Sequence, residues 1–164
     1  MFKKFTDHAR KVMIIARQEA QRLNSEVIGT EHILLAIFQD GRSIAAKALQ
    51  DMSIDFRRIR TEIEWLVTPN TSPTVTLGQI PLSPRAVRVV ELAGATANAL
   101  SHEFIAPEHL LLGILEEAEN VAAQVFGSMG FQLNDVRVKV LGELGIDPPP
   151  KIEEEPTQLS TTVR

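Results

Sequence analysis

The 164-residue chain has no cysteine, no tyrosine and a single tryptophan. Without cysteine there is no disulfide framework, no thiolate zinc site and no thiol nucleophile. Aromatics make up only 5%, too few for a stacking platform for single-stranded nucleic acid. A basic excess is missing too. Seventeen Lys and Arg stand against 21 Asp and Glu, a net charge of −4, and phosphate-backbone binding draws on the opposite balance. No nucleic-acid partner is expected. No apolar run approaches the ~18 residues of a membrane span. The start, Met1-Phe2-Lys3-Lys4-Phe5, lacks the apolar region and cleavage site of a signal peptide. A cytoplasmic location without membrane attachment is the expectation. No G-x-x-x-x-G-K-[ST] loop occurs, which removes ATP hydrolysis by that route. No cofactor or metal is expected.

What is present is an ordinary globular balance, 44% hydrophobic and 23% charged, in a length that suits one domain or two very small ones. It is organised as an internal repeat. Ile28-Gly29-Thr30-Glu31-His32-Ile33-Leu34-Leu35 recurs 77 residues later as Ile105-Ala106-Pro107-Glu108-His109-Leu110-Leu111-Leu112. The register holds on both sides without a gap. Ala9, Val12, Ala16, Ala20 and Leu23 fall on Ala86, Val89, Ala93, Ala97 and Leu100, while Ala45, Ala46 and Met52 fall on Ala122, Ala123 and Met129.

Each copy reads as four helices. In the first they run over about 7–24, 31–39, 44–52 and from 55, and in the second over 84–100, 108–117, 121–129 and 134–144. Thr6, Thr30 and Ser83 are the expected N-caps, and Pro84 suits a first helical position. Phe56, Ile59, Ile63 and Leu66 share one face of the fourth helix. The fold class is all-α: a pseudo-two-fold tandem repeat of two four-helix units forming one compact eight-helix domain over 1–144. Repeat one covers about 5–67 and repeat two about 82–144. The Pro/Thr/Ser-rich stretch 68–81 reads as a linker, in which Val75-Thr76-Leu77 can extend briefly. Residues 145–164, with Pro148-Pro149-Pro150 and Glu153-Glu154-Glu155, read as a flexible tail.

These paired segments resemble the Clp N-terminal repeat domain, in the form carried by ClpC-type Hsp100 AAA+ unfoldases of the Clp protease. The resemblance covers about residues 1–144. It implies a non-catalytic module that recognises protein substrates and adaptor proteins, serving ClpC-type ATPase modules and, indirectly, the ClpP protease. It also implies two phosphoarginine pockets, one per repeat. The first maps to Thr6, Thr30 and Glu31, with Arg10 or Lys11 as phosphate partners. The second maps to Ser83 and Glu108, with Arg85 or Arg88. The chemistry is coherent, because a carboxylate accepts a planar guanidinium in bidentate fashion and a helix start receives a phosphoryl group. Pro107 departs from the Thr of the first copy and removes a hydroxyl and an N–H, so the second site is expected to be the weaker. Phe2, Lys3 and the stretch 74–80 are candidate adaptor contacts.

Structural readings stand beside these. Glu31 and Glu108 also suit a helix dipole, and Thr6, Thr30 and Ser83 are caps in any case. His32 and His109 lie in no metal-binding pattern and read as core histidines bonded to backbone. His8 and His102 read as surface or loop residues. Phe5 reads as a staple packed before the Thr6 cap. The alternative function is a free-standing accessory protein that regulates or stabilises Clp protease assembly. An enzyme would need a clustered nucleophile and base, which the sequence does not offer.

Overall fold

The computed structural model describes residues 4–66, 80–117 and 119–146. Within them lie eight helices: α1 (Asp7–Arg22), α2 (Thr30–Asp40), α3 (Ile44–Asp51), α4 (Phe56–Leu66), α5 (Pro84–Ala99), α6 (Pro107–Glu116), α7 (Val121–Ser128) and α8 (Leu133–Glu143). The 77-residue register is written into the backbone. The N-cap side chains of α1 and α5 are Thr6 and Ser83, and those of α3 and α7 are Ser43 and Asn120; each accepts from the N–H three residues on. Left-handed residues recur at the same offset, Asn24 with Ser101 and Ser53 with Gly130.

α2 and α6 form the centre. From His32 to Phe38 and from His109 to Leu115 every residue is buried, as expected of helices that are apolar nearly all round. α1 packs on α2 and α5 on α6. Gly113 brings α5 and α6 close, since a Cβ there would stand 2.6 Å from the Val89 carbonyl oxygen. The matching residue of α2 is Ala36, which is fully buried. The remaining helices cross between the halves, α3 against α8 and α4 against α7. α4 buries Ile59 and Ile63. The expected stripe stops there, because Leu66 is 44% exposed one turn beyond.

Among the described residues the extended pairing consists of two isolated parallel bridges, Phe5 with Ile105 and Ile28 with Leu82. These four residues also obey the offset, and both bridges join one half to the other. Phe5 is buried in the core, as expected, and so is Ile80 at the end of the predicted linker. Phe2, Lys3, residues 67–79 with the expected Val75-Thr76-Leu77 extension, and the tail from 147 lie outside the described residues.

Candidate functional site

The bridges decide which helix starts meet. Thr6 N–H donates to the Ile105 carbonyl (2.9 Å) and Ile105 N–H to that of Lys4 (2.7 Å). In the other bridge Ser83 N–H donates to the Ile28 carbonyl (2.9 Å) and Ile28 N–H to that of Pro81 (2.8 Å). The start of α1 therefore lies beside the start of α6, and the start of α5 beside that of α2. This corrects the grouping expected from sequence, which placed Thr6 with Glu31 and Ser83 with Glu108. Thr6 shares its corner with Glu108, and Ser83 with Glu31. Each corner is built from both halves. The charge of His8, in the first turn of α1, acts on Glu108, consistent with this pairing.

Thr30 is a second correction. Gly29 is the N-cap of α2, and Thr30 is the first helical residue. Its side chain is buried, and its hydroxyl accepts from Ala122 N–H in the first turn of α7 at 3.3 Å. Thr30 thus satisfies one of α7's otherwise unpaired donors, and its hydroxyl is not at the surface. Pro107, its counterpart, is also buried. The hydroxyl lost at Pro107 is therefore a packing difference between the halves.

Glu31 and Glu108 are partly buried. Burial pushes both carboxyls above the usual range, while a hydrogen bond from each residue's own backbone N–H acts the other way; His102 and His8 add to that second effect at Glu108. The four candidate cations are engaged by carboxylates near them. Arg10 lies 3.6 Å from Asp7, Lys11 3.9 Å from Asp40, and Arg88 3.6 Å from Glu91. Arg85 reaches Glu117 at 3.1 Å and Glu119 at 3.5 Å. These cations are half-exposed, and such pairs are weak enough to exchange for a ligand phosphate.

The two conserved-in-register histidines are core residues, as expected. His32 Nδ1 accepts from Gly29 N–H and His109 Nδ1 from Ala106 N–H, both at 2.8 Å. Because Nδ1 accepts, the proton of each neutral ring sits on Nε2. Burial holds both rings' pKa down at about 4, with the charge of Arg22 adding at His32 and that of His102 at His109. Their outer nitrogens differ. His109 Nε2 lies 2.8 Å from His102 Nδ1, the rings edge to face. His102 stands in a loop, as expected, but is half-buried there and bonded to the core. His32 Nε2 is buried with no hydrogen-bond partner, and Glu31 Oε2 stands 3.9 Å away.

Sequence reasoning passed over Asp40. Its carboxylate is fully buried, both oxygens lack a hydrogen bond, and His8 Nδ1 lies 3.6 Å away. The repeat register held the clue, since it aligns Asp40 with Glu117 and His8 with Arg85, the ion pair of the second half. An apolar groove of about 450 Å³ also opens between α5, α6 and α8, lined by Leu92, Leu100, Leu112 and Leu141 with Glu116 and Arg137 among its walls. Among the described residues no helix is long and apolar enough to cross a membrane.

Comparison with known proteins places the repeat and the fold among known relatives. The model of the Clp repeat (R) N-terminal domain matches residues 4–129 and 93–164. Over 145 residues, 88% of the chain, it is 43% identical to the chaperone protein ClpB of Oceanobacillus iheyensis and 43% identical to the negative regulator of genetic competence ClpC/MecB of Bacillus subtilis. The chain spans about a fifth of the length of each, 18%. In structure it resembles the N-terminal domain of ClpD from Arabidopsis thaliana, with a TM-score of 0.74 and 22% identity over 88% of this chain and 97% of that one. It also resembles a ClpV N-domain solved in complex with a VipB peptide, with a TM-score of 0.67 and 13% identity over 87% of this chain and 89% of that one.

Proposed function

The chain belongs to the Clp N-terminal repeat family, and on that premise we propose that it is a non-catalytic recognition module for protein substrates and adaptors of an ATP-driven Clp/Hsp100 unfoldase, with phosphoarginine as the recognised mark. The observation that carries this reading is the twofold corner in which a partly buried glutamate at one helix start faces the capped start of a helix from the other half. The guanidinium of a phosphoarginine pairs with the carboxylate of Glu31 or Glu108. Its phosphoryl group meets the opposite helix start: the Ser83 hydroxyl and the Arg85 N–H at the Glu31 corner, the Thr6 hydroxyl and the first N–H groups of α1 at the Glu108 corner.

The two corners differ in charge. Arg85 follows Pro84 in the first turn of α5 beside Glu31, whereas the fully exposed Asp7 opens α1 beside Glu108. A phosphoryl group is drawn to the first and repelled at the second, so the Glu31 corner is the stronger. This preserves the asymmetry expected from sequence and replaces its cause. The test is calorimetric titration with phosphoarginine, arginine and phosphoserine. Only phosphoarginine is expected to bind well, with Glu31→Ala losing more than Glu108→Ala. Equal weak signals for all three would remove the mark, and equal losses would remove the asymmetry. Affinity is also expected to rise with pH as the two carboxyls ionise, above the ordinary carboxylate range.

A further inference from the structure

The carboxylate of Glu31 occupies a place that only a glycine leaves open. A Cβ added to Gly29 would stand 2.5 Å from Glu31 Oε1 and 2.9 Å from both Cδ and Oε2. Gly29 is not there for its backbone freedom. Its φ of −94° and ψ of 175° are nearly those of Ala106 at the matching position, −108° and 169°, and any residue adopts them. Glycine at 29 therefore makes room for the folded-back carboxylate. Beside that space sits His32, fully buried, with an Nε2–H that has no acceptor and faces Glu31 Oε2 at 3.9 Å. A buried donor left unpaired is costly, and the Glu31 carboxylate is one short side-chain adjustment away.

The second half lacks both parts of this arrangement. Ala106 carries the Cβ that would displace a carboxylate folded back in the same way, and the outer nitrogen of His109 is already taken by His102. The position matching His102 in the first half is Ser25, whose hydroxyl is turned into its own loop and donates to the Val27 carbonyl at 2.7 Å.

We infer that Gly29 and His32 are positioning residues for Glu31: the missing side chain at 29 provides the niche, and the His32 Nε2–H anchors one carboxylate oxygen when a guanidinium engages the other. The inference rests on the recognition reading above and names what makes the Glu31 corner selective. Glu108, without niche or free donor, is held by its own helix start and by the charges of His102 and His8.

The test uses the full chain in two readouts. The first is ligand-free NMR titration of the Glu31 side-chain carboxyl. Gly29→Ala is expected to return its midpoint toward the ordinary carboxylate value while the amide spectrum stays folded. The second is phosphoarginine binding in a Glu108→Ala background, where Gly29→Ala is expected to weaken affinity about tenfold. His32→Gln, which keeps both a cap acceptor and a donor, is expected to retain most of the affinity that His32→Leu loses. Transplanting the arrangement requires two changes: Ala106→Gly alone leaves the Glu108 corner as it is, and Ala106→Gly with His102→Ser strengthens it. An unchanged carboxyl midpoint in Gly29→Ala, or a shifted midpoint with unchanged affinity, overturns the inference. If the parent chain binds no phosphoarginine, the recognition reading fails and the carboxyl midpoint alone decides this one.

Discussion

The starts of α2 and α6 are built from one plan and finished differently. Both use a histidine ring in place of a conventional cap, both bury that ring, and both put a glutamate just before it. Around them, Gly29 becomes Ala106, Thr30 becomes Pro107 and Ser25 becomes His102. The first half spends its threonine on a facing helix and leaves a histidine donor open beside Glu31. The second half closes its histidine with another histidine. The inner nitrogen is structural in both copies, and the outer nitrogen is where the copies part.

The largest effect is expected from breaking the closed copy. His109→Ala removes the cap acceptor, opens a cavity and leaves His102 without its partner, for a loss of about 3 kcal/mol in urea unfolding. His32→Ala is expected to cost less, because no second ring depends on it. Acid is expected to act on both copies together. Both rings bind their proton at about 4 in the folded chain against roughly 6.5 when unfolded. Their contribution is full above that unfolded value and falls as the pH drops toward 4, by up to about 1.4 kcal/mol per pH unit for each ring. The raised Glu31 and Glu108 carboxyls have the opposite sign and offset part of the slope. Unfolding measured from pH 7 to 4 checks this, and His32→Gln should remove one ring's share.

A smaller change is expected at the threonine. Thr30→Val takes the acceptor from Ala122 N–H and should cost about 1 kcal/mol, with phosphoarginine affinity kept, since this hydroxyl is buried. A loss of affinity without a loss of stability would return Thr30 to the ligand. The smallest effect is expected at His8. Replacing it with arginine rebuilds beside Asp40 the pair that Arg85 makes with Glu117, and should stabilise by only roughly 0.5 kcal/mol because position 8 is half-exposed. A thermal melt reads it, and no gain would mean that Asp40 is served well enough by His8 and Lys11.

Much of this was legible in the chain. The apolar spacing of Ala9, Val12, Ala16 and Ala20 placed α1, and the Glu-His start of each central helix marked its histidine as core. The pairing of corners was not legible, because a repeat makes Thr6 and Ser83 equally suitable neighbours of Glu31. Only the bridges, which join residues far apart in sequence, distinguish the two arrangements. Thr30 was misread as a cap because a threonine before Glu-His looks like one. The ring of His32 had already taken that task, and the hydroxyl was free to serve α7. His102 was legible as a loop residue but not as the partner of His109, which it reaches through a turn at Ser101 with φ of 61°.

The crossed bridges also impose an order in time. A ribosome makes Glu31 well before Ser83, and Thr6 well before Ile105. Neither corner can exist while only the first half has been synthesised, and the Glu31 corner is complete before the Glu108 corner. A nascent chain of this kind lacks both corners until its second half begins to arrive, so under the recognition proposed above binding is acquired one corner at a time, the Glu31 corner first.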